Sequence, residues 1–140
     1  MNQQSRKYSR KREAILEAIR STKEHPSAER IYTSLKPLYP DLSLGTVYRN
    51  LSLFLESGEI VRVANVDGQD RYDADVRPHP HFICACCHRV MDLDIAYSAA
   101  DHYADVERAT GGVVRSECLS FMGLCSQCVK PRDLPNASNI

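Results

Sequence analysis

Residues 79–89 read HPHFICACCHR, with three histidines and three cysteines in eleven positions. Cys84 and Cys87 form a C-x-x-C pair, and Cys125 and Cys128 form a second pair after a gap of 37 residues. Two thiolates spaced this way can turn toward one ion, and two such knuckles supply the four tetrahedral ligands of a closed structural zinc site. The stretch Cys84-Ala85-Cys86-Cys87-His88 also fits the C-x-x-C-H pattern that attaches a c-type haem. That alternative is weak, because Val129 rather than His follows the second pair. A redox-active C-x-x-C would need a βαβ context, which the pattern here lacks. Cys86 and Cys118 fall outside the pairing. They read as small half-buried thiols, with a redox role left open.

His79 and His81 are two residues apart, the spacing that puts two imidazoles on one face of a strand. Pro80 between them cannot donate to a sheet ladder, which places this strand at an edge or before the sheet proper. Such a pair on its own is often a surface feature. Here Asp73 closes the arm RYDAD, Asp92 follows the first cysteine pair, and His25 sits in an earlier loop. Two or three imidazole nitrogens with two carboxylates suit Fe(II), Mn(II) or Zn(II) rather than a thiolate-loving ion.

The frame that must position these residues is small. A chain of 140 residues makes one domain or two small ones, and a metal staple or dimerisation would support so little core. No apolar run reaches membrane-spanning length, and the opening MNQQSRKYSRKR lacks the apolar core of a signal peptide. The expected location is therefore the cytoplasm, where disulfides are rare. The net charge of zero hides an asymmetry. Residues 1–66 carry 11 Lys/Arg against 7 Asp/Glu, whereas residues 67–140 carry 7 against 11. All six cysteines and four of the five histidines lie in the acidic half. A basic half without cysteine and an acidic half rich in ligands imply a division of labour.

In the basic half, Ala14, Ile15, Ala18 and Ile19 have the spacing of an amphipathic helix over residues 12–20. Ser27 can cap a second helix, with Ala28, Ile31, Tyr32 and Leu35 inward and Pro37 and Pro40 beyond its end. Ser43 can cap a third, with Leu44, Val47, Leu51, Phe54 and Leu55 inward and Gly58 as terminator. Its outward face holds Gly45, Thr46, Tyr48, Arg49 and Ser52, with Asn50 at the edge. Arg can fork onto guanine, Asn can pair with adenine, and Tyr, Thr and Ser can hold phosphates. Asp67-Gly68 between the β-prone runs 60–66 and 71–72 signals a hairpin. Three helices and a hairpin make a winged helix-turn-helix, here expected to contact double-stranded DNA through Thr46, Tyr48, Arg49, Asn50 and Ser52. The cluster Arg6, Lys7, Arg10, Lys11 and Arg12 precedes the expected first helix and reads either as a phosphate-contacting arm or as a solvated tail.

The segments HPSAERIY, SLGTVYRNLSLF, RYD, HPHFIC-x-x-C and the later C-x-x-C, in this order, resemble the ferric uptake regulator (Fur) superfamily over residues ~8–130. The resemblance implies an α+β fold, with a DNA-binding winged helix (1–67) followed by a metal-binding α/β dimerisation domain (68–140). It implies a homodimeric repressor with structural zinc on the four paired cysteines. A regulatory Fe(II) or Mn(II) would be held by His25, Asp73, His79, His81 and Asp92. Asp92, where iron regulators often carry glutamate, and the short HPH spacing resemble the peroxide-responsive (PerR) branch. In that branch, iron-catalysed oxidation by hydrogen peroxide strikes histidines at the positions of His25 and His79. An iron- or zinc-uptake regulator of the same architecture is the alternative. Pro80 departs from the carboxylate that iron regulators often have there. Ser116 and Glu117 stand where many members have histidine, so a third metal site is not expected. A zinc hydrolase using His79, His81 and Asp92 would need an open coordination position and a general base. No H-E-x-x-H is present, and the chain is not expected to be an enzyme.

Overall fold

A computed structural model describes residues 3–134, with backbone alone for residues 4–9. The fold is α+β and divides into two compact units, one ending at Pro78 and the other beginning at His79. The break thus falls later than the expected boundary after Asp67, because the second hairpin strand completes the first unit.

The first unit runs α1 (Gln3–Arg20), α2 (Ala28–Leu35), α3 (Leu44–Ser57), β1 (Val61–Val66) and β2 (Gln69–Asp73). Helix α1 starts well before the expected residue 12, since no proline or glycine interrupts residues 3–11 and their polar side chains are fair helix formers. The basic cluster therefore lies on the helix rather than in an arm before it. Lys11 pairs with Asp41 at 3.0 Å and Arg12 stacks over the Phe54 ring at 5.3 Å, while Arg10 is exposed. The side chains of Arg6 and Lys7 lie outside the described residues.

The expected caps are present. Ser27 Oγ accepts from the Arg30 amide at 3.2 Å and Ser43 Oγ from the Thr46 amide at 3.1 Å, satisfying donors that a helix start leaves open. Gly58 ends α3 in the left-handed conformation at φ 76°. Asp67 and Gly68 both have positive φ, the requirement of a tight type I′ hairpin turn, and join β1 to β2 in antiparallel register with Val66 opposite Gln69. Ile15, Leu16 and Ile19 of α1 meet Ile31, Leu35, Val47, Leu51, Phe54, Ile60 and Tyr72 in one core. Full burial of each large apolar side chain contributes about 1.5–3 kcal/mol.

The second unit holds β3 (His81–Cys84), β4 (Val90–Asp92), α4 (Ala100–Thr110), β5 (Ser120–Gly123) and a 3₁₀ turn at Pro131–Asp133. The sheet order is β4-β3-β5, antiparallel between β3 and β4 and parallel between β3 and β5. Gly123 packs closely, since a Cβ there would stand 3.3 Å from the Phe82 ring, which would have to shift by a few tenths of an ångström. Among the described residues, its buried hydrophobic side chains are Ile83, Cys84, Val90, Ala99 and Cys125, and α4 buries none. So small a core does not hold a unit of this size by apolar burial alone.

Candidate metal centres and nucleic-acid face

The parallel pairing of β3 with β5 aligns Cys84 with Gly123, which brings the two C-x-x-C turns side by side. The Ala85 amide donates to Gly123 O at 2.8 Å across that junction. Each turn closes on its first cysteine: the His88 amide donates to Cys84 O at 2.9 Å, and the Cys128 and Val129 amides donate to Cys125 O at 2.9 and 2.8 Å. His88 itself takes a left-handed conformation at φ 61° to finish its turn. One sulfur each from Cys84, Cys87, Cys125 and Cys128 lies within 4.8 Å of the others, and Cys87 Sγ stands 3.8 Å from Cys125 Sγ. A tetrahedral zinc with Zn–S bonds of about 2.3 Å has S···S edges of about 3.8 Å, so the donor set fits zinc in type and spacing.

The electrostatics agree. Backbone amides aimed at Cys84, first that of Cys87 and then that of Cys125, pull its thiol down to about 6. The Cys125 amide lies 3.4 Å from Cys84 Sγ. Cys125 is lowered in the same sense, chiefly by the Gln127 amide. Cys128 is pushed up by hydrogen bonding with Cys125 and, next, with Cys86, because crowded thiols cannot all ionise without a cation among them. All six cysteines are free thiols, and Cys86 and Cys118 are exposed rather than half-buried.

The His/Asp residues form two groups, one in each unit. In the first unit His25 lies in the loop between α1 and α2, buried and at φ 52°. Its Nδ1 stands 3.5 Å from Oδ2 of Asp73, the last residue of β2, and Asp73 Oδ1 accepts from the Asp75 amide at 2.8 Å. Arg71 of β2 donates through Nε to His25 O and through Nη2 to Glu24 O at 2.7 Å. Half-burial lowers the Arg71 pKa, as does neighbouring Arg30.

In the second unit, His81 pairs in register with Asp92 across β3 and β4. His79 Nε2 and His81 Nε2 both point at Oδ1 of Asp92, at 2.9 and 3.1 Å, with the ring centres 4.4 Å apart. Of the two, only His81 belongs to the strand. His79 precedes it, because Pro80 supplies no amide to the ladder; its carbonyl accepts from the Leu93 amide at 2.9 Å instead. Two imidazole nitrogens converging on one carboxylate oxygen are the donor chemistry of Fe(II), Mn(II) or Zn(II).

On α3, Gly45, Tyr48, Arg49 and Ser52 are exposed and Thr46 is half-buried. Tyr48 Oη donates to Glu29 Oε1 at 2.7 Å, which pushes the phenol up to about 12 and keeps it protonated. Arg49 Nη2 donates to Thr46 Oγ1 at 3.0 Å. Asn50 departs from the expected outward placement: it is 1% exposed, and its amide donates to Thr46 O at 2.9 Å. Positions 47, 50, 51 and 54 form one helical stripe, so Asn50 shares the inner face with Val47, Leu51 and Phe54.

The model of the Ferric uptake regulator family matches residues 3–110. The chain belongs to the ferric uptake regulator family. Among its Fur-family relatives, the peroxide operon regulator of Bacillus subtilis is 34% identical over 120 residues, covering 85% of this chain and 81% of that protein. The peroxide-responsive repressor PerR of Staphylococcus epidermidis is 30% identical, covering 84% and 77%. Among solved structures, the Campylobacter jejuni peroxide stress regulator matches with TM-score 0.68 and 25% identity, over 91% of this chain and 100% of that one. The ferric uptake regulator of Francisella tularensis with iron also has TM-score 0.68, with 27% identity over 84% and 90%. No helix among the described residues is long and apolar enough to cross a membrane.

Arg71 and Glu29 lie in the segments RYD and HPSAERIY, but no spacing in the sequence assigns either a role. Arg71 stands two residues before Asp73, yet an arginine that serves backbone carbonyls leaves no spacing signature. Glu29 faces Tyr48 across 19 positions, a separation no local pattern reveals.

Proposed function

We propose that this chain is a metal-dependent, DNA-binding transcriptional repressor that responds to hydrogen peroxide in the cytoplasm. The observation that carries the reading is the combination, in one chain of this family, of a capped winged helix with a thiolate set and a His/Asp set. The similarity to proteins named as peroxide regulators supports the choice of signal.

In this reading Cys84, Cys87, Cys125 and Cys128 hold zinc and cross-link the second unit. His25 and Asp73 on one unit, and His79, His81 and Asp92 on the other, share one regulatory Fe(II) or Mn(II). Five donors from two units bind an ion better together than apart, so occupancy favours one arrangement of the units. In a homodimer that arrangement sets the spacing of two α3 helices, which must match half-sites about one helical turn apart. Thr46, Tyr48, Arg49 and Ser52 then meet the duplex, with Arg49 the candidate for reading a guanine. Iron, when bound by these residues, would supply the redox chemistry that activates hydrogen peroxide beside the imidazoles. One peroxide oxygen would end on His25 or His79, the other leaving as water in a two-electron oxidation of the ring, and the oxidised imidazole would be a poorer ligand that releases the closed arrangement. No residue turns over a substrate in this scheme.

The homodimer is supported by the second unit's surface. Strand β5 stands at the sheet edge with Phe121 and Met122 exposed, and Leu124 just after it, Val106 of α4 and Val113 are exposed as well. Exposed apolar side chains beside an open strand edge are the kind of surface a second copy covers.

Fluorescence anisotropy on a duplex selected from random sequence by the Mn(II)-loaded protein tests the repressor reading. Tight binding with Mn(II) or Fe(II), weak binding without either, and release by peroxide only for the Fe(II) form are expected. Binding indifferent to metal would overturn it. The similarity to the iron-containing Francisella protein favours one other reading, an iron- or zinc-uptake regulator. Metal-selective binding that peroxide leaves intact would favour that reading.

A further inference from the structure

The loop that carries His25 adopts a shape that its residues do not prefer alone. His25 stands at φ 52°, in the left-handed region that residues with a Cβ adopt uncommonly, histidine more readily than most. Strand β2 holds it there. Arg71 Nη2 donates to Glu24 O at 2.7 Å, Arg71 Nε donates to His25 O, and the Tyr72 amide donates to Pro26 O at 3.2 Å. Three consecutive carbonyls of the loop therefore end on two consecutive residues of the strand. The third residue of that run, Asp73, lies 3.5 Å from His25 Nδ1. On the other side the loop is tied by the Glu24 amide, which donates to Thr22 Oγ1 at 3.1 Å, and by the Glu24 carboxylate, which accepts from Arg30.

A guanidinium suits this task. Its donors lie in one rigid plane, so Nε and Nη2 can serve adjacent carbonyls at once, whereas a lysine ammonium is a compact charge on a flexible stem. We infer that Arg71 is the positioning residue of His25: its planar fork sets the backbone turn that aims the imidazole and ties that turn to the β1–β2 hairpin. The inference rests on His25 being a ligand of the regulatory metal. Arg71 touches no metal in this scheme; it acts through the two carbonyls. Partners that orient a ligand from behind typically weaken metal binding by about 10–100-fold when removed.

The test uses the full chain with its cysteine-bound zinc retained, comparing wild type with Arg71→Gln, Arg71→Lys and His25→Ala. Mn(II) affinity is measured by calorimetry, and exchange of the Tyr72 amide by NMR without Mn(II). Arg71→Gln is expected to weaken Mn(II) binding by at least about tenfold and to speed Tyr72 exchange. Arg71→Lys, which keeps the charge and the aliphatic stem, is expected to fold as wild type does and still lose affinity. Wild-type Mn(II) affinity in Arg71→Lys and Arg71→Gln, with His25→Ala impaired, would overturn the inference while sparing the metal centre. Wild-type affinity in His25→Ala would remove His25 from the metal centre, and the positioning role with it.

Discussion

The two donor sets differ in how they are built. The four cysteines sit on two short turns locked together by one parallel strand pair within a single unit, and their sulfurs lie within 4.8 Å of one another. The His/Asp residues come as a pair, His25 and Asp73, in the first unit, and as a trio, His79, His81 and Asp92, in the second. A closed set on one scaffold is suited to permanent cross-linking. In the proposed reading, one ion shared by donors of both units would make metal occupancy depend on how the units are arranged, which is the property a switch needs. The small apolar core of the second unit fits the first role, because zinc on the four cysteines would replace core that the sequence does not provide.

Substitutions should separate the two sets, beginning with the largest effect. Cys84→Ser is expected to abolish zinc binding and the dimer together, since structural zinc contributes on the order of 10 kcal/mol to folding in such sites. Elemental analysis and size-exclusion chromatography check it, and a zinc-free stable dimer would break the contrast. His81→Ala should leave zinc content and dimer intact while lowering Mn(II) affinity on the order of 100-fold. Calorimetry and the same column measure both halves of that statement. Arg49→Ala should cost about 1–3 kcal/mol of operator affinity and leave both metals in place, as read by anisotropy. Asn50→Ala should be the smallest change and of another kind. It removes one buried hydrogen bond, costing about 1 kcal/mol of stability in thermal unfolding, with little change in DNA affinity.

Much of the site was legible because its signals are local. Ser27, Ser43 and Gly58 act within one helical turn, Asp67-Gly68 within one hairpin, and each C-x-x-C within one knuckle. Even the long gap from Cys87 to Cys125 was readable, because the second pair repeats the first. What escaped depended on wider geometry. Asn50 seemed to belong to the polar edge of α3, yet helical spacing aligns it with Val47, Leu51 and Phe54. His79 and His81 suggested one strand, whereas Pro80 leaves His79 outside β3 and the rings meet over Asp92 regardless. The unit boundary moved past Tyr72 because strand pairing and core membership, rather than charge balance, decide where a folding unit ends. Arg71 lies in the segment RYD, but its role has no local signal, since its partners are backbone carbonyls 46 and 47 positions away.

In the proposed mechanism the His/Asp residues are the peroxide-sensitive element and the four paired cysteines are not. Peptide mass spectrometry after brief exposure to stoichiometric hydrogen peroxide addresses both at once, comparing Fe(II)-loaded with Mn(II)-loaded protein. The expected result is one added oxygen on His25 or His79 in the iron sample alone, with Cys84, Cys87, Cys125 and Cys128 unmodified and zinc retained. Intact histidines together with oxidised cysteines and lost zinc would contradict the claim and move the sensing chemistry to the thiolates.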